Sequence, residues 1–246
     1  MKNFRHAFTK LTLLTGLLLT LQSGLANAQV PPSQLVSLHP DHVFTPTGFD
    51  SNDNSQVVIE GMFSSTCFKV GPVKWSVDLA NHRIAISNTA YYYDGPCLRV
   101  LVPYQKTIDL GRLLPGQYSL WFEKSGESFT QMGELNIKPN TSASPDEYMY
   151  APVTEAIISL DNKTPILVLS GTVTNTCMKL QTVRLLRTKK DVVEVLPITA
   201  MTAGKNCKDI RSPFTVTRPL PPGLEGTTLV HIRSLNGKSI NLVYDF

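Results

Sequence analysis

Apolar and polar residues alternate along most of the chain with a period of two, the pattern of β-strands with one buried face. The clearest case begins with Val57: this residue, Ile59 and Phe63 fall on one face, and Glu60 and Ser64 fall on the other. Other strands are predicted at residues 74–79, 83–87, 98–104, 107–110, 118–122 and 134–137, and in the second half at 155–160, 165–173, 182–188, 192–198, 214–217, 228–232 and 239–244. No convincing amphipathic helix is visible, so the chain is predicted to be all-β.

The sequence repeats itself at an offset of 110 residues (171 − 61). The motif Gly-x4-Thr-Cys occurs at residues 61–67 and again at 171–177. A second cysteine follows each copy at the same distance, since 97 − 67 and 207 − 177 both equal 30. Four cysteines allow three pairings, but only Cys67–Cys97 together with Cys177–Cys207 respects the repeat and closes equal loops. We therefore predict one disulfide in each half.

Turn residues separate the predicted strands at short intervals, as Asp94-Gly95 and Pro115-Gly116 illustrate. About seven short strands in each half, joined by such turns, are typical of a β-sandwich. The predicted fold is therefore all-β, with two tandem antiparallel immunoglobulin-like β-sandwich domains, each closed by one disulfide. The antibody-type tryptophan between two core cysteines is missing, so the disulfides are expected to clip loops near strand ends.

The N-terminus, residues 1–28, has the composition of a secretory signal peptide. Three basic residues precede an apolar run, and small residues lead to Ala28, where cleavage is predicted. Residues 29–138 and 148–246 then form the two predicted domains, and the polar, proline-containing stretch 139–147 forms a linker. Each half has its own alternating pattern and crosslink, so we expect the halves to fold independently.

Charge limits the classes of partner. The chain has 23 basic and 19 acidic residues, but three of the basic ones and none of the acidic ones lie in the predicted signal peptide. The mature protein therefore has a net charge of +1 (20 − 19) and no cluster of Lys and Arg, which excludes nucleic acid as a main partner. No later stretch approaches about 18 apolar residues, so no membrane insertion is expected after cleavage. A secreted or periplasmic location is predicted.

Three features of the sequence form one pattern: the repeated motif, the second cysteine ahead of a strand, and the segment Leu-Gly-Arg-Leu-Leu-Pro-Gly-Gln-Tyr at residues 110–118. This pattern resembles the tandem immunoglobulin-like domains of secreted bacterial envelope proteins. The resemblance covers nearly the whole mature chain and implies a fold, but no specific activity. The periplasmic pilus chaperones also have two such domains. Two features separate this chain from the chaperones. The chain has no long donor-type strand joined to a basic anchoring pair, and the chaperones do not carry matched disulfides in both domains.

Motifs for catalysis and metal binding are largely missing. The chain has no Gly-x-Ser-x-Gly elbow and no zincin motif, and both predicted disulfides leave no free thiol. His39 and His42 flank Asp41, but a proline intervenes and no fourth ligand is in view, which favours a solvated turn over a metal site. His82 in a turn and His231 in a strand are expected to be structural or at the surface. We predict no catalytic residue, no metal and no cofactor.

The first half of the chain contains three consecutive tyrosines, Tyr91, Tyr92 and Tyr93. At the offset of 110 they align with residues 201–203, none of which is aromatic, so the second copy of the repeat lacks them. Consecutive side chains cannot all face the core of one strand, and a turn follows directly, so at least one ring is expected to be exposed. Tyrosine offers a large amphipathic contact area with little rotamer entropy to lose. We predict that these residues form a binding loop. The alternative is that their rings pack on the proline-rich lead-in or on the second domain.

These features favour a non-catalytic binding or interaction protein whose partner is a protein or a glycan. Two other classes remain open: a structural subunit of an envelope assembly, and an enzyme or enzyme inhibitor with a site built from loops. A large ordered oligomer would favour the structural subunit, and activity screening would separate the other two.

Overall fold

The secondary structure of the described chain consists of β-strands. The computed structural model of the protein describes residues 33–246, except 127, 142, 145, 162, 163, 203–205 and the side chain of Ser125. The predicted signal peptide and its cleavage site lie outside the described residues. In this part of the chain, no helix has the length and apolar character needed to cross a membrane.

Eight strands form the two sheets of the first domain. They are β1 (Ser33–Ser37), β2 (His42–Phe44), β3 (Ser55–Phe63), β4 (Phe68–Asp78), β5 (Arg83–Tyr93), β6 (Val102–Gly111), β7 (Gly116–Ser125) and β8 (Ser128–Ile137). One sheet has the order β2-β3-β6. In the other sheet β5 is central, with β4 along one edge, β1 and β7 along the other edge, and β8 beyond β7. All pairings are antiparallel except that of β5 with β7.

The second domain repeats this arrangement with seven strands. They are β9 (Val153–Asp161), β10 (Thr164–Val173), β11 (Met178–Lys189), β12 (Val192–Met201), β13 (Ser212–Pro219), β14 (Thr227–Ser234) and β15 (Lys238–Asp245). Their orders are β13-β10-β9 and β11-β12-β14-β15, and β12 with β14 is again the parallel pair. The predicted fold of two tandem β-sandwich domains is confirmed. The parallel pair in each domain is a feature that the strand pattern did not predict.

One disulfide lies at the same end of each sandwich. Cys67–Cys97 and Cys177–Cys207 are both present, each with its Cα atoms 5.4 Å apart. In the first domain the disulfide joins the β3–β4 turn to the loop that precedes β6, and in the second it joins the β10–β11 turn to the loop that precedes β13. Two disulfides indicate a non-cytoplasmic environment, because thiols are kept reduced in the cytosol.

The glycine of the repeated motif makes room for an aromatic ring on the neighbouring strand. Gly61 pairs with Tyr104, and Gly171 pairs with Phe214. A Cβ atom on Gly61 would lie 2.7 Å from the Tyr104 hydroxyl oxygen, and one on Gly171 would lie 2.2 Å from the carbonyl oxygen of Pro152. An aromatic ring that covers a strand glycine is a known device of β-sheets. Cross-strand packing therefore explains why both copies of the motif begin with glycine.

Three apolar clusters hold the sheets together. One cluster fills the first sandwich and a second fills the other. The third is smaller: Phe44 and Val58 of the first domain meet Val192 and Leu229 of the second. Because neighbouring residues of β3, β12 and β14 belong to different clusters, these strands are buried on both faces. The sheet β2-β3-β6 therefore packs on the sheet β11-β12-β14-β15. Residues 32–246 form one compact unit, and the predicted linker at 139–147 and independent folding of the halves stay predictions.

The rest of this interface is polar, charged and buried. Arg233 on β14 lies beside Asp53, with Nη1 3.4 Å from Oδ1, and its guanidinium carbon lies 4.5 Å from the centroid of the Phe49 ring. Glu194 on β12 accepts hydrogen bonds from the backbone N–H and the hydroxyl of Thr47. Asp53, Glu194 and Arg233 are each less than 5% exposed. Each buried charge thus has a partner in the opposite domain.

Burial shifts the pKa values of the titratable groups in the interface. Desolvation raises the pKa of Asp53 and of Glu194, although the nearby Arg233 charge lowers both. Desolvation, aided by the same charge, lowers the pKa of His231 to about 3. His231 is therefore neutral, and its Nδ1 lies 2.7 Å from Oδ1 of Asn241.

We expect the substitution Gly171→Ala to lower the free energy of unfolding by about 1–3 kcal/mol, because the new methyl group would meet backbone that cannot easily move. Gly61→Ala should cost less, since the nearest atoms belong to a side chain. Gly95→Ala is the control, because no atom lies within 4 Å of its added Cβ. Urea unfolding of the three variants measures the differences, and equal midpoints for Gly171→Ala and Gly95→Ala would contradict the packing argument.

We expect Arg233→Met to lower the free energy of unfolding by about 3–5 kcal/mol near neutral pH, because it leaves buried carboxylates without their partner. The pKa values of Asp53 and Glu194 in the folded protein are raised. The folded state therefore binds protons more tightly than the unfolded state at these carboxyl groups. The stability that protonation adds is present at low pH and is lost as the pH rises through the folded pKa values. The deficit of the variant should accordingly be smaller at about pH 4 than at about pH 7.

Urea unfolding at both pH values tests this expectation, with Arg211→Met as the control, since Arg211 is exposed. A deficit that does not change with pH would show that the loss comes from packing on Phe49 and not from the charge.

Candidate binding surface at the disulfide end of the first domain

The three tyrosines form the end of a paired strand and not a loop, which corrects the prediction from the sequence. β5 extends to Tyr93, with β4 on one side and β1 on the other. Leu35 of β1 pairs with Tyr91, and Ser33 pairs with Tyr93. The lead-in segment thus lies alongside the tyrosines through its backbone, and their strand is fixed at both edges.

The tyrosines divide between the two faces of the sheet. Tyr92 faces the core, where its ring packs at a tilt against Phe68 with centroids 5.2 Å apart. Tyr91 and Tyr93 lie on the outer face with centroids 6.4 Å apart, and Nζ of Lys69 lies 5.2 Å from the Tyr93 ring centroid. Tyr92 is therefore a packing residue, whereas the exposed Tyr91 and the half-buried Tyr93 face outward.

Strand pairing shows that the offset of 110 misaligns the end of β5 with the end of β12 by one residue. Tyr92 pairs with Phe68, whereas Met201 pairs with Met178, the repeat equivalent of Phe68. The cause is an additional β-bulge in the second domain, whose register shifts between Arg187 and Lys189 as well as between Leu180 and Thr182, whereas the register of the first domain shifts once, between Val70 and Val73. The equivalents of Tyr91, Tyr92 and Tyr93 are Ala200, Met201 and Thr202. The repeat thus keeps an apolar residue at the core-facing position and replaces both outer rings with small side chains.

An exposed apolar loop is attached to the same turn as the end of β5. The backbone N–H of Leu98 donates to Thr66 Oγ1 at 3.0 Å, and its carbonyl oxygen accepts from the Thr66 N–H at 3.1 Å. The disulfide at Cys97 and these hydrogen bonds hold residues 98–101 against the β3–β4 turn. Leu98 and Leu101 are 69% and 72% exposed, and Val100 is also exposed. We call Tyr91, Tyr93, Leu98, Val100 and Leu101 the apolar tip.

The second domain builds the same loop with different side chains. Lys208 exchanges two hydrogen bonds with Thr176, each 3.0 Å long, as Leu98 does with Thr66. At the offset of 110, Leu98 and Leu101 correspond to Lys208 and Arg211. The two loops thus share their attachment to the threonine, but these two positions carry basic residues in one domain and leucines in the other. The fold does not require the leucines, and their exposure needs another explanation.

The alternation of apolar residues predicts a strand over residues 98–104 and therefore does not reveal this loop. In the structure β6 begins at Val102 and continues to Gly111, where two separate strands were predicted. Apolar residues next to a strand are indistinguishable from strand residues by periodicity. The charged residues at 208 and 211 in the repeat were the signal that could have revealed the loop.

The histidines near the N-terminus each make a separate local contact. Nδ1 of His39 lies 3.0 Å from the carbonyl oxygen of Pro40, and Nδ1 of His42 lies 3.0 Å from Glu60. Asp41 accepts a hydrogen bond from the backbone N–H of Met62. Within the described ranges, no group of three or more His, Cys, Asp or Glu side chains could hold a metal ion.

Comparison with known proteins gives one match. A family model described as the ORF11 beta-sandwich domain matches residues 57–131, which run from β3 into β8 of the first domain. The match supports a β-sandwich domain in this half of the chain and names no envelope family. Searches of the curated proteins and of the solved structures return no match.

We expect Tyr92→Ser to lower the free energy of unfolding by about 1–3 kcal/mol, because it removes a half-buried ring from the stack on Phe68. The double change Tyr91→Ser with Tyr93→Ser should cost less than about 1 kcal/mol, since both rings lie on the outer face. Urea unfolding of the two variants tests the assignment of faces. A larger loss for the double variant would show that the outer rings are the packing residues.

Proposed function

We propose that the protein is a secreted or periplasmic, non-catalytic binding protein that contacts a partner protein through the apolar tip of its first domain. The observation that carries the proposal is the comparison of the two disulfide-held loops. Both loops exchange the same two hydrogen bonds with the threonine of the repeated motif, yet only the first exposes leucines. Exposed leucines that the scaffold does not require are best explained by a partner that covers them.

The chemistry of the tip favours a protein over a glycan. Leucine and valine side chains offer apolar area, and Tyr91 and Tyr93 add rings that pack with little loss of rotamer entropy. A glycan needs polar groups that converge on its hydroxyls, and the five side chains of the tip contribute only the two tyrosine hydroxyls. The same five residues include no carboxylate, imidazole or thiol, which supports a binding role over a catalytic one.

The proposed location rests on two observations. The first 28 residues have the composition of a cleavable signal peptide, and the chain holds one disulfide in each domain. Disulfides of this kind persist outside the cytosol. The partner is therefore expected in the same oxidising compartment.

Site-specific photo-crosslinking tests the proposal. A photoreactive phenylalanine replaces Leu98 in one variant and Lys208 in the other, and both are produced in the native cells with the full chain. We expect a discrete adduct with one partner from position 98 and none from position 208, because the backbones match and only the first loop contacts the partner. Equal adducts from both positions, or none from position 98, would contradict the proposal.

The recovered partner then allows a binding measurement. Leu98→Asp with Leu101→Asp should weaken its binding at least about tenfold, since burial of one leucine is worth about 1.5–3 kcal/mol and about 1.4 kcal/mol corresponds to tenfold. Ile210→Asp, at an exposed position of the matching loop in the second domain, is the control that should leave the affinity unchanged.

A further inference from the structure

The first domain has a free strand edge beside an open apolar groove. β4 pairs with β5 along one edge, and within the described residues no strand pairs with its other edge. A groove of about 350 Å³ lies between the end of β4 and the end of β6. Its walls include Trp75, Val77 and Leu79 on one side and Leu114 on the other. Leu79 and Leu114 are 52% and 61% exposed.

The groove is separate from the apolar tip. The tip lies at the disulfide end, where β4 begins with Phe68, whereas the groove lies where β4 ends at Asp78. Eleven residues of strand at about 3.3 Å each place the two ends more than about 30 Å apart. Between them, Lys106 donates a hydrogen bond to the carbonyl oxygen of Gly71, which joins β6 to β4 above the groove.

The second domain protects the corresponding edge. By strand pairing Val77 corresponds to Arg187, since Val77 pairs with Ile84 and Arg187 pairs with Val193. Arg187 donates to the carbonyl oxygens of Gly223 and Lys190 at 3.0 and 3.1 Å. A charged side chain on an edge strand opposes the addition of another strand. In the first domain Pro72, Lys74 and the bulge between Val70 and Val73 restrict the earlier part of β4, but the part beside the groove has apolar side chains at Trp75 and Val77.

We propose that this edge binds an extended segment of a partner protein as an additional strand on β4. Backbone hydrogen bonds to the free edge would supply affinity, and alternate apolar side chains of the segment would enter the groove between Trp75, Leu79 and Leu114. Arg112 and Ser51 are the polar residues among those that line the groove. The segment therefore carries a carboxylate, from its C-terminus or an acidic side chain, that pairs with Arg112.

Charge favours such a segment over a second copy of this chain. Two copies paired through β4 would bring two Arg112 side chains to one interface, and the residues that line the groove supply no carboxylate for them. Asp78, the acidic residue of β4, already accepts hydrogen bonds from Ala80 and Asn81. Like charges that face each other across an interface oppose association. An anionic extended peptide satisfies Arg112, the apolar walls and the free edge at once.

A defined peptide tests the proposal with the mature chain, residues 29–246. The probe is a fluorescein-labelled heptapeptide in which leucine alternates with threonine, with a free C-terminal carboxylate, and binding is followed by fluorescence anisotropy. We expect saturable binding, and a loss of at least tenfold for Val77→Arg with Leu79→Lys, which place charges on the apolar wall of the groove. The carboxyl-amidated probe should bind more weakly, because it cannot pair with Arg112. Ile210→Asp, on the far domain, is the matched control and should bind as the unmodified chain does.

Hydrogen exchange identifies the mode of binding. The bound peptide should slow exchange of backbone amides within β4, as an added strand requires. Circular dichroism and urea unfolding show whether the double variant is folded. If it is not, Leu114→Asp, which lies in a turn outside the strands, provides the same test of the groove and should also weaken binding at least tenfold.

Three outcomes would overturn the proposal: no saturable binding, equal binding by the folded groove variants, or protection that appears away from β4. Analytical ultracentrifugation adds a fourth, because a dimer that Val77→Arg with Leu79→Lys abolishes would show that a second copy covers the edge. The photo-crosslink at position 98 reports on the apolar tip alone, so the two sites can fail independently.

Discussion

The packing of the sheet β2-β3-β6 on the sheet β11-β12-β14-β15 is the constraint on which the rest of the structure depends. It buries β3, β12 and β14 on both faces and takes Arg233, Asp53 and Glu194 out of water together. A buried ion pair adds little net stability, but loss of one partner leaves an uncompensated charge. The arrangement is therefore tolerated only while Arg233 stays beside Asp53, as it does where the two sheets meet.

This interface decides which surfaces remain for other partners. It occupies the outer face of one sheet from each domain, so the contact surfaces proposed here lie at the disulfide end and at the free edge of β4. Both lie in the first domain, and both differ from the second domain by an exchange of charged for apolar side chains. Leu98 replaces Lys208 at the tip, and Val77 replaces Arg187 at the edge. Since the two domains share one scaffold, these exchanges mark divergence that folding does not explain.

The candidate site shows where sequence reasoning works and where it stops. The absence of the tyrosines from the repeat pointed to the end of β5, but the ungapped comparison is one residue out of register there. An additional bulge in β11, between Arg187 and Lys189, causes this difference, and the period of two does not reveal it. Because side chains alternate between faces, that single residue decides that Tyr92 packs inside while Tyr91 and Tyr93 lie outside.

The sequence by itself determined the all-β class, the two tandem sandwiches and the pairing of the cysteines. A period of two reports strands directly, and an internal repeat with equal cysteine spacing leaves one pairing that treats both halves alike. Only the tertiary structure decided which outer faces are covered, because periodicity separates the two faces of a strand but does not reveal whether the second face meets water or another sheet. For the same reason the charges of Glu194 and Arg233 gave no sign of burial. Their partners, Thr47 and Asp53, lie more than 140 residues away in the chain, and only folding brings them together.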